Sequence, residues 1–269
     1  AHVADAVALN SVQFNAARMI GAAIGGVTVA VWGVSGTLFL NAASYLPAIA
    51  VLLLIRPVHT LPRPLARGGS VAQELVSGFR YVRRTPKVLR VVLIFGGASL
   101  IGLNWQVVLP LVARFVVHQQ ATGLGALMAA FGVGSLTAAV MLTQTRRVTM
   151  RRLIAGGMVL GISLVLLGWS RTYLLSLVVV ALGGAASIVL AVTTNTSLQL
   201  YVPDHLRGRV MGIYVLLMGG TTPVGAYVFG AVSSRLGPEP TLIAFGLATM
   251  FIVGISSLYG TSRRRARLH

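Results

Sequence analysis

The chain has 269 residues, of which 56% belong to the hydrophobic set and 10% are charged, and its mean hydropathy is +0.85. A soluble domain carries about 25% charged residues, so this composition argues against one, and the absence of cysteine excludes a disulfide framework and a thiolate metal site. The formal net charge of +18 would suggest nucleic-acid binding in a soluble protein, but its distribution along this chain gives a different explanation.

Eight long apolar segments are predicted to cross a membrane as helices. A hydrocarbon core of about 30 Å requires roughly 20 apolar residues per helical crossing, and every backbone polar group there must be satisfied within its own segment. The predicted spans are residues 12–32, 36–55, 88–113, 122–144, 150–169, 172–199, 208–232 and 240–260. The fold class is therefore an all-α polytopic membrane protein with eight transmembrane helices.

The first span contains Arg18, the one ionised side chain that is predicted to lie inside the membrane. It lies about six residues, or ~9 Å at 1.5 Å per residue, inside the boundary. Arg18 either extends to the interface along its aliphatic stem or faces the interior of the bundle. In the second case Asn15, one turn earlier, shares its face and both residues are candidates for contact with cargo.

A long connection over residues 56–87 separates the first two spans from the other six. Its first part is rich in Pro and Gly, and its second part repeats apolar residues at helical spacing opposite Arg80, Arg83 and Arg84. This pattern predicts an amphipathic helix on the inner leaflet, in contact with anionic lipids. A solvated connector whose arginines only fix topology is the alternative.

Polar residues in the third and seventh spans are further candidates for a substrate cavity. They are Asn104, Trp105, Gln106, Tyr214, Thr221 and Thr222. The seventh span also contains Pro223 after two glycines, and transporters use such helix breaks near substrate sites. Hydrogen bonding between helices, at about 0.6 kcal/mol per bond, is the simpler explanation for each residue taken alone.

The basic residues fall mainly on one side of the predicted membrane. With the N-terminus in the cytoplasm, 18 of the 22 Lys and Arg residues lie in cytoplasmic segments, three lie outside and Arg18 lies within a span. Short cytoplasmic loops carry such an excess. Both termini are therefore predicted to be cytoplasmic, and nucleic acid is not an expected partner.

Two sets of residues carry a resemblance to a known family. Residues 21–26 (GAAIGG) resemble the antiporter motif GPxxGG of the fifth helix of the major facilitator superfamily, with Ala22 in place of the proline. Residues 8–18 (ALNSVQFNAAR) and 202–210 (VPDHLRGRV) look like the bacterial exporter branch that includes enterobactin and macrolide efflux proteins. The chain therefore resembles a drug or siderophore exporter of that superfamily.

The resemblance implies a domain organisation and a function. The eight spans would be helices 5–12 of a twelve-helix fold, in a fragment that lacks the first four. Residues 1–55 would end the N-terminal half, 56–87 link the halves, 88–260 form the C-terminal half and 261–269 form a basic cytoplasmic tail. The implied function is secondary active export of an amphipathic small molecule by alternating access. Asn15 and Arg18 would contribute to the cavity from one half, and Gly21, Gly25 and Gly26 would form the helix-packing motif.

Two other functions remain open at this point. One is a truncated, non-transporting membrane remnant or scaffold. The other is the membrane domain of an ATP-driven exporter, although the chain contains no GxxxxGK[ST] motif for phosphate binding.

The acidic residues and histidines are all predicted to lie in loops. Membrane enzymes need such groups for acid–base or metal chemistry, so an enzyme, a cofactor and a metal site are not expected. Protons are the expected coupling ion, and the coupling carboxylate would lie in the missing helices. Arginine outnumbers lysine 21 to 1, as is typical of a GC-rich bacterial genome, which suggests the bacterial inner membrane.

Overall fold

The computed structural model describes residues 28, 32, 36–47, 49–51, 53–54, 71–118, 121–144 and 149–258. Within these ranges all regular secondary structure is helical. From residue 71 onward the α-helices are α1 (Val71–Arg84), α2 (Pro86–Gly102), α3 (Trp105–Leu111), α4 (Ala121–Thr143), α5 (Met150–Trp169), α6 (Tyr173–Tyr201), α7 (Asp204–Val215), α8 (Thr221–Leu236) and α9 (Pro238–Leu258). Two π-helices, π1 (Val112–Val116) and π2 (Leu216–Gly220), continue α3 and α7.

Six helical stretches in the described residues are long and apolar enough to cross a membrane. They are Pro86–Val116, Thr122–Leu142, Met150–Trp169, Tyr173–Tyr201, Asp204–Leu236 and Pro238–Leu258. They correspond to the third to eighth predicted spans, which are thereby confirmed as long apolar helices. The predicted span 12–32 lies almost wholly outside the described residues, and the described part of 36–55 contains a shorter apolar helix, Gly36–Val51.

Local sequence explains where several of these helices begin and end. The hydroxyls of Thr149 and Thr172 accept the N–H groups of Arg152 and Leu175, each at 3.4 Å, and so cap α5 and α6. After α8, Gly237 has a φ of 86°, a left-handed conformation that glycine adopts without steric cost. The chain can therefore reverse within one residue between α8 and α9.

Glycines allow two pairs of helices to approach closely. A Cβ atom at Gly134 of α4 would lie 1.8 Å from the Ala181 carbonyl oxygen of α6. In the same way, a Cβ atom at Gly246 of α9 would lie 2.5 Å from the Gly161 carbonyl oxygen of α5. Such contacts between small residues hold membrane helices together by van der Waals packing. Ala130 and Ala138 lie four residues before and after Gly134, so that small residues repeat along this face of α4.

The span Asp204–Leu236, formed by α7, π2 and α8, packs much less tightly than the others. Only 11% of its most apolar stretch is buried, against 33–50% in the other five spans. It contacts α1, α2, α3, α6 and α9 along part of its surface, and much of the rest is uncovered by described residues. One side of this span is therefore available to something other than the six described spans.

Helix α1 covers the residues that were predicted to form an amphipathic helix. Its buried residues Gly78 and Val82 lie on the side that packs against α7 and α2. The Arg209 guanidinium of α7 donates to the Ser77 hydroxyl at 2.9 Å, and the Tyr81 hydroxyl donates to the Tyr201 carbonyl at 3.4 Å. We call the end of the bundle where α1 lies the α1 end.

Candidate functional site

The first polar position of the candidate site is a break in the helix between α2 and α3. Leu103 and Asn104 are not helical, and the Asn104 carbonyl accepts the N–H groups of Val107 and Val108 at 3.0 Å, so that a new helix starts there. The Asn104 amide nitrogen donates to the Leu100 carbonyl at 2.9 Å. Its side-chain oxygen is buried and has no hydrogen-bond partner in the described part of the chain.

Helix α8 lies directly against this break. A Cβ atom at Gly225 would lie 2.0 Å from the Leu100 carbonyl oxygen and 2.4 Å from the Asn104 amide nitrogen. No residue other than glycine fits at position 225 without a shift of backbone. The contact therefore joins the irregular backbone of one span to the loosely packed span beside it.

Trp105 and Gln106 point into different surroundings. Trp105 is buried, and its indole N–H donates to the Ser187 hydroxyl of α6 at 3.0 Å, while its ring centroid lies 5.2 Å from that of Phe131. Gly183 leaves the space for the ring, since a Cβ atom there would lie 2.3 Å from it. Gln106 is exposed. Of these two predicted cavity residues, the structure leaves only Gln106 free to meet a ligand from outside the described helices.

Tyr214 of α7 is also mostly buried. Its ring centroid lies 4.9 Å from that of Phe95, and its hydroxyl lies 3.5 Å from the Ala191 carbonyl and hydrogen-bonds the Asn195 side chain. Asn195 in turn accepts from the Gln199 amide one turn along α6. Both amide residues are partly exposed. Tyr214 thus lies beside two amide residues, Asn195 and Gln199, that were not selected as site residues from the sequence.

Thr221 and Thr222 lie at the junction of π2 and α8. The Thr221 hydroxyl lies 2.9 Å from the Ser99 hydroxyl of α2 and also donates to the Leu217 carbonyl, which the Ser99 hydroxyl reaches at 3.1 Å. The Thr222 hydroxyl donates to the Met218 carbonyl at 3.0 Å. Both threonines therefore satisfy the backbone of their own span.

Ser99 is another residue of this site that was not predicted from the sequence. It is a single serine in an otherwise apolar stretch of α2, and it is buried. The sequence around Ser99 does not indicate that it belongs to the site, because its hydrogen-bond partners lie about 120 residues later in the chain. The remaining predicted site residues, Asn15, Arg18, Gly21, Gly25 and Gly26, lie outside the described residues.

The chemistry of the described site is that of neutral hydrogen-bonding groups. It offers amides, hydroxyls, an indole and backbone carbonyls, which can donate to or accept from polar groups of a ligand. The described residues contain no group of three or more His, Cys, Asp or Glu residues that could hold a metal ion. The arrangement can therefore recognise and orient a molecule through hydrogen bonds and apolar contact.

The α1 end carries a second surface of a different character. Val76, Phe79, Arg80, Arg83 and Arg84 line a cleft of about 520 Å³. Phe79 is 46% exposed although its spacing placed it on the apolar face of the helix. This surface combines exposed apolar side chains with three cations.

Comparison with known proteins relates the whole chain to membrane exporters. A family model described as transmembrane secretion effector matches residues 1–264. The multidrug efflux pump Tap of Mycolicibacterium fortuitum is 25% identical over 249 residues, which cover 91% of this chain and 60% of that protein. Tap of Mycobacterium tuberculosis is 29% identical over 240 residues, covering 87% of this chain and 56% of that protein.

A siderophore exporter shows similarity of the same extent. The enterobactin exporter EntS of Escherichia coli O1:K1 is 26% identical over 267 residues, which cover 98% of this chain and 62% of that protein. The chain thus spans about 60% of the length of the curated relatives that it matches.

Proposed function

Because this chain belongs to the transmembrane secretion effector family of the major facilitator superfamily, we propose that it is a secondary active transporter that exports an amphipathic small molecule by alternating access. The observation that carries the proposal is the match over residues 1–264, together with relatives that are named as a multidrug efflux pump and an enterobactin exporter. A drug or a siderophore is accordingly the proposed class of cargo. No observation favours the alternative of a non-transporting remnant.

We propose that the six described spans are helices seven to twelve of a twelve-helix transporter and that residues 1–55 supply helices five and six. In such folds the cargo binds near the middle of the membrane, between two halves that rock against each other. The loose packing of the span Asp204–Leu236 supports this assignment, because a span that faces the other half has few partners within its own half. Residues 56–87 then link the halves, and 261–269 form a cytoplasmic tail.

The proposed cavity draws on both halves. Among the predicted site residues of the C-terminal half, Gln106 is exposed and Thr221 and Thr222 are partly exposed. The buried residues Asn104, Trp105 and Tyr214 are proposed to support the cavity wall. Asn15 and Arg18 are proposed to contribute from the N-terminal half, and Gly21, Gly25 and Gly26 to pack its fifth helix closely against a neighbour.

The proposed partners follow from charge. With the α1 end in the cytoplasm of a bacterium, the arginines of the cleft at Val76–Arg84 lie at the level of the inner leaflet and attract anionic lipid headgroups. Protons are the proposed coupling ion, since the inner membrane maintains a proton gradient. The described spans contain neither a carboxylate nor a histidine away from their ends, so the coupling carboxylate is proposed to lie in helices outside this chain.

Export by the complete gene product tests the proposal directly. Inverted membrane vesicles from an efflux-deficient bacterial host are energised, and the accumulation of a panel of amphipathic fluorescent dyes and of a catechol siderophore is followed. We expect accumulation of at least one compound that collapses when a protonophore is added. Accumulation equal to that of empty vesicles for the whole panel contradicts the proposal.

Arg18 provides a sharper test of the cavity. A hydrogen bond to a charged group contributes about 1.5–3 kcal/mol, so Arg18→Gln should reduce export by about tenfold or more at equal membrane levels. Arg18→Lys should restore only part of it, because an ammonium lacks the planar fork of the guanidinium. The control is Arg114→Gln, which changes an exposed arginine at the end of the bundle opposite the α1 end. Unchanged export in Arg18→Gln removes Arg18 from the site.

A further inference from the structure

The exposed face of α1 carries apolar and cationic side chains side by side. Val76, Phe79, Arg80, Arg83 and Arg84 are all exposed, and their spacing places them within an arc of about 140° at 100° per residue. Along this face the two apolar residues come first and the three arginines follow. The same five side chains line the cleft of about 520 Å³. An apolar surface and a cationic surface therefore meet in one cleft.

The opposite side of α1 is attached to the bundle. Gly78 is buried there, and a Cβ atom on it would lie 3.3 Å from the Arg209 carbonyl oxygen of α7. The Arg209 guanidinium donates to the Ser77 hydroxyl, and the Tyr81 hydroxyl donates to the Tyr201 carbonyl of α6. The exposed arginines thus project from a helix that is already held in place. A ligand of this face does not have to order the helix before it binds.

The three arginines of this face repel one another. Arg83 and Arg84 follow Arg80 by three and four residues, and like charges at these spacings destabilise a helix. Among the side chains that the structure describes, the ion pair is the one between Arg207 and Asp204, and no carboxylate pairs with the three arginines of α1. A phosphate group placed among them replaces this repulsion with attraction, because a guanidinium donates paired N–H groups to phosphate oxygens.

An anionic phospholipid matches both parts of the exposed face of α1. Its phosphate can accept from the arginines, while an acyl chain can cover Val76 and Phe79, which are 55% and 46% exposed. A free phosphate would leave these apolar side chains uncovered, and a zwitterionic lipid would bring a second cation close to the arginines. The volume of the cleft lies within the range of small-molecule sites, about 300–1,000 Å³. It has room for a headgroup and the first carbons of a chain.

We infer that the exposed face of α1 is a binding site for one anionic phospholipid, with its phosphate on Arg80, Arg83 and Arg84 and an acyl chain along Val76 and Phe79. The inference deepens the proposed contact with anionic lipids, since it assigns a single lipid to named residues in place of a general attraction to the leaflet. It rests on the proposed function only for the position of α1 at the inner leaflet. Binding of the lipid can therefore be measured apart from export.

Lipid binding by the complete gene product, delipidated in detergent, tests the inference. Native mass spectrometry counts the bound molecules of phosphatidylglycerol and of phosphatidylcholine with the same acyl chains. We expect one phosphatidylglycerol to bind about tenfold or more tightly than phosphatidylcholine, because each arginine near an anionic lipid contributes about fivefold. Changing Arg80, Arg83 and Arg84 together to Gln should abolish this preference. Changing all three to Lys keeps the charge and should keep most of the preference.

The matched control removes three positive charges at the other end of the bundle. Arg114, Arg171 and Arg235 are exposed there, and changing all three to Gln should leave the preference for phosphatidylglycerol unchanged. Phe79→Ser should weaken binding of phosphatidylglycerol a few-fold, because the acyl chain loses its apolar contact.

Four results would overturn the inference. They are equal binding of the two lipids, binding of neither because another part of the protein covers the face, an equal loss in the control, and displacement of the lipid by inorganic phosphate at the same concentration. Export of amphipathic dyes after reconstitution of the same preparation tests the proposed function separately. Absence of export by a protein that binds phosphatidylglycerol contradicts that function and leaves the lipid site in place.

Discussion

The α5–α9 pair and the α7–α8 span both contain several glycines, and the two regions use them in opposite ways. At the crossing of α5 and α9, Gly161 and Gly246 are each covered by backbone of the other helix. Along α7–α8, Gly225 meets the Leu100 carbonyl of α2, but four other glycines have nothing within 4 Å of a Cβ position. Their positions are Gly208, Gly212, Gly219 and Gly230.

This difference shows that glycine content alone does not identify a packing interface in a membrane helix. In the α5–α9 pair, the missing side chain allows two backbones to meet, and dispersion contacts stabilise the crossing. In the α7–α8 span, the missing side chains leave free space beside a backbone that changes its helical pattern. The first region is tightly packed, and the second has one surface that the described residues do not cover.

The largest expected effect is a difference in stability between variants at a covered glycine and variants at an open glycine. Gly246→Val places methyl groups where the Gly161 carbonyl and Val165 already lie, so overpacking should cost about 3 kcal/mol or more. Gly230→Val makes the same change on the open span, where the space is free. Thermal unfolding of the detergent-solubilised protein, followed by tryptophan fluorescence, should show a large loss of stability for the first variant only. Equal losses would remove the distinction between the regions.

A smaller effect concerns the hydrogen bond that joins α3 to the packed part of the bundle. Trp105→Phe keeps an aromatic ring beside Phe131 but loses the donor to Ser187, which should cost about 1 kcal/mol. Trp169→Phe, at an exposed site at the end of α5, is the matched control and should change nothing measurable. Urea unfolding of the two variants in detergent measures the difference. If Ser187→Ala removes as much stability in the presence of Trp105→Phe as in its absence, the bond contributes nothing.

The smallest expected effect is on the hydrogen bond that joins α2 to the α7–α8 span. Ser99→Ala removes the hydroxyl that bridges α2 to the Leu217 carbonyl and to Thr221, at an expected cost of about 0.6 kcal/mol. Ser163→Ala is the control, because the Ser163 hydroxyl bonds only within its own helix. A spin label near Gly219 should become more mobile in Ser99→Ala than in Ser163→Ala. Equal mobility would show that the Ser99 hydroxyl does not restrain π2.

The sequence was sufficient to predict the six described spans, because hydropathy over about 20 residues is a direct consequence of the thickness of the membrane. It predicted an interruption near Pro223 from the preceding glycines. It did not predict the break at Leu103–Asn104, where only Gly102 marks a weak point and Asn104 starts the new helix. That break depends on contact with Gly225, which is more than 100 residues away in the chain.

The candidate site was predictable only in part for the same reason. Intramembrane polar residues are easy to find in a sequence, but whether each one faces a partner helix or a cavity depends on tertiary contacts. Trp105 and Gln106 are neighbours in sequence, yet one is buried against α6 and the other is exposed. The assignments of Asn15 and Arg18 stay predictions.

Because α1 is attached to α7, a movement of the α7–α8 span also moves α1. Gly78 of α1 lies in close contact with Arg209 and Ile213, so α1 must follow any rotation of that span. A tilt of about 10° around the middle of a span roughly 50 Å long would carry α1 by ~4 Å. Because the chain contains no cysteine, a fluorophore on a single cysteine at the exposed position of Phe79 would report that displacement at the α1 end, away from the proposed cavity.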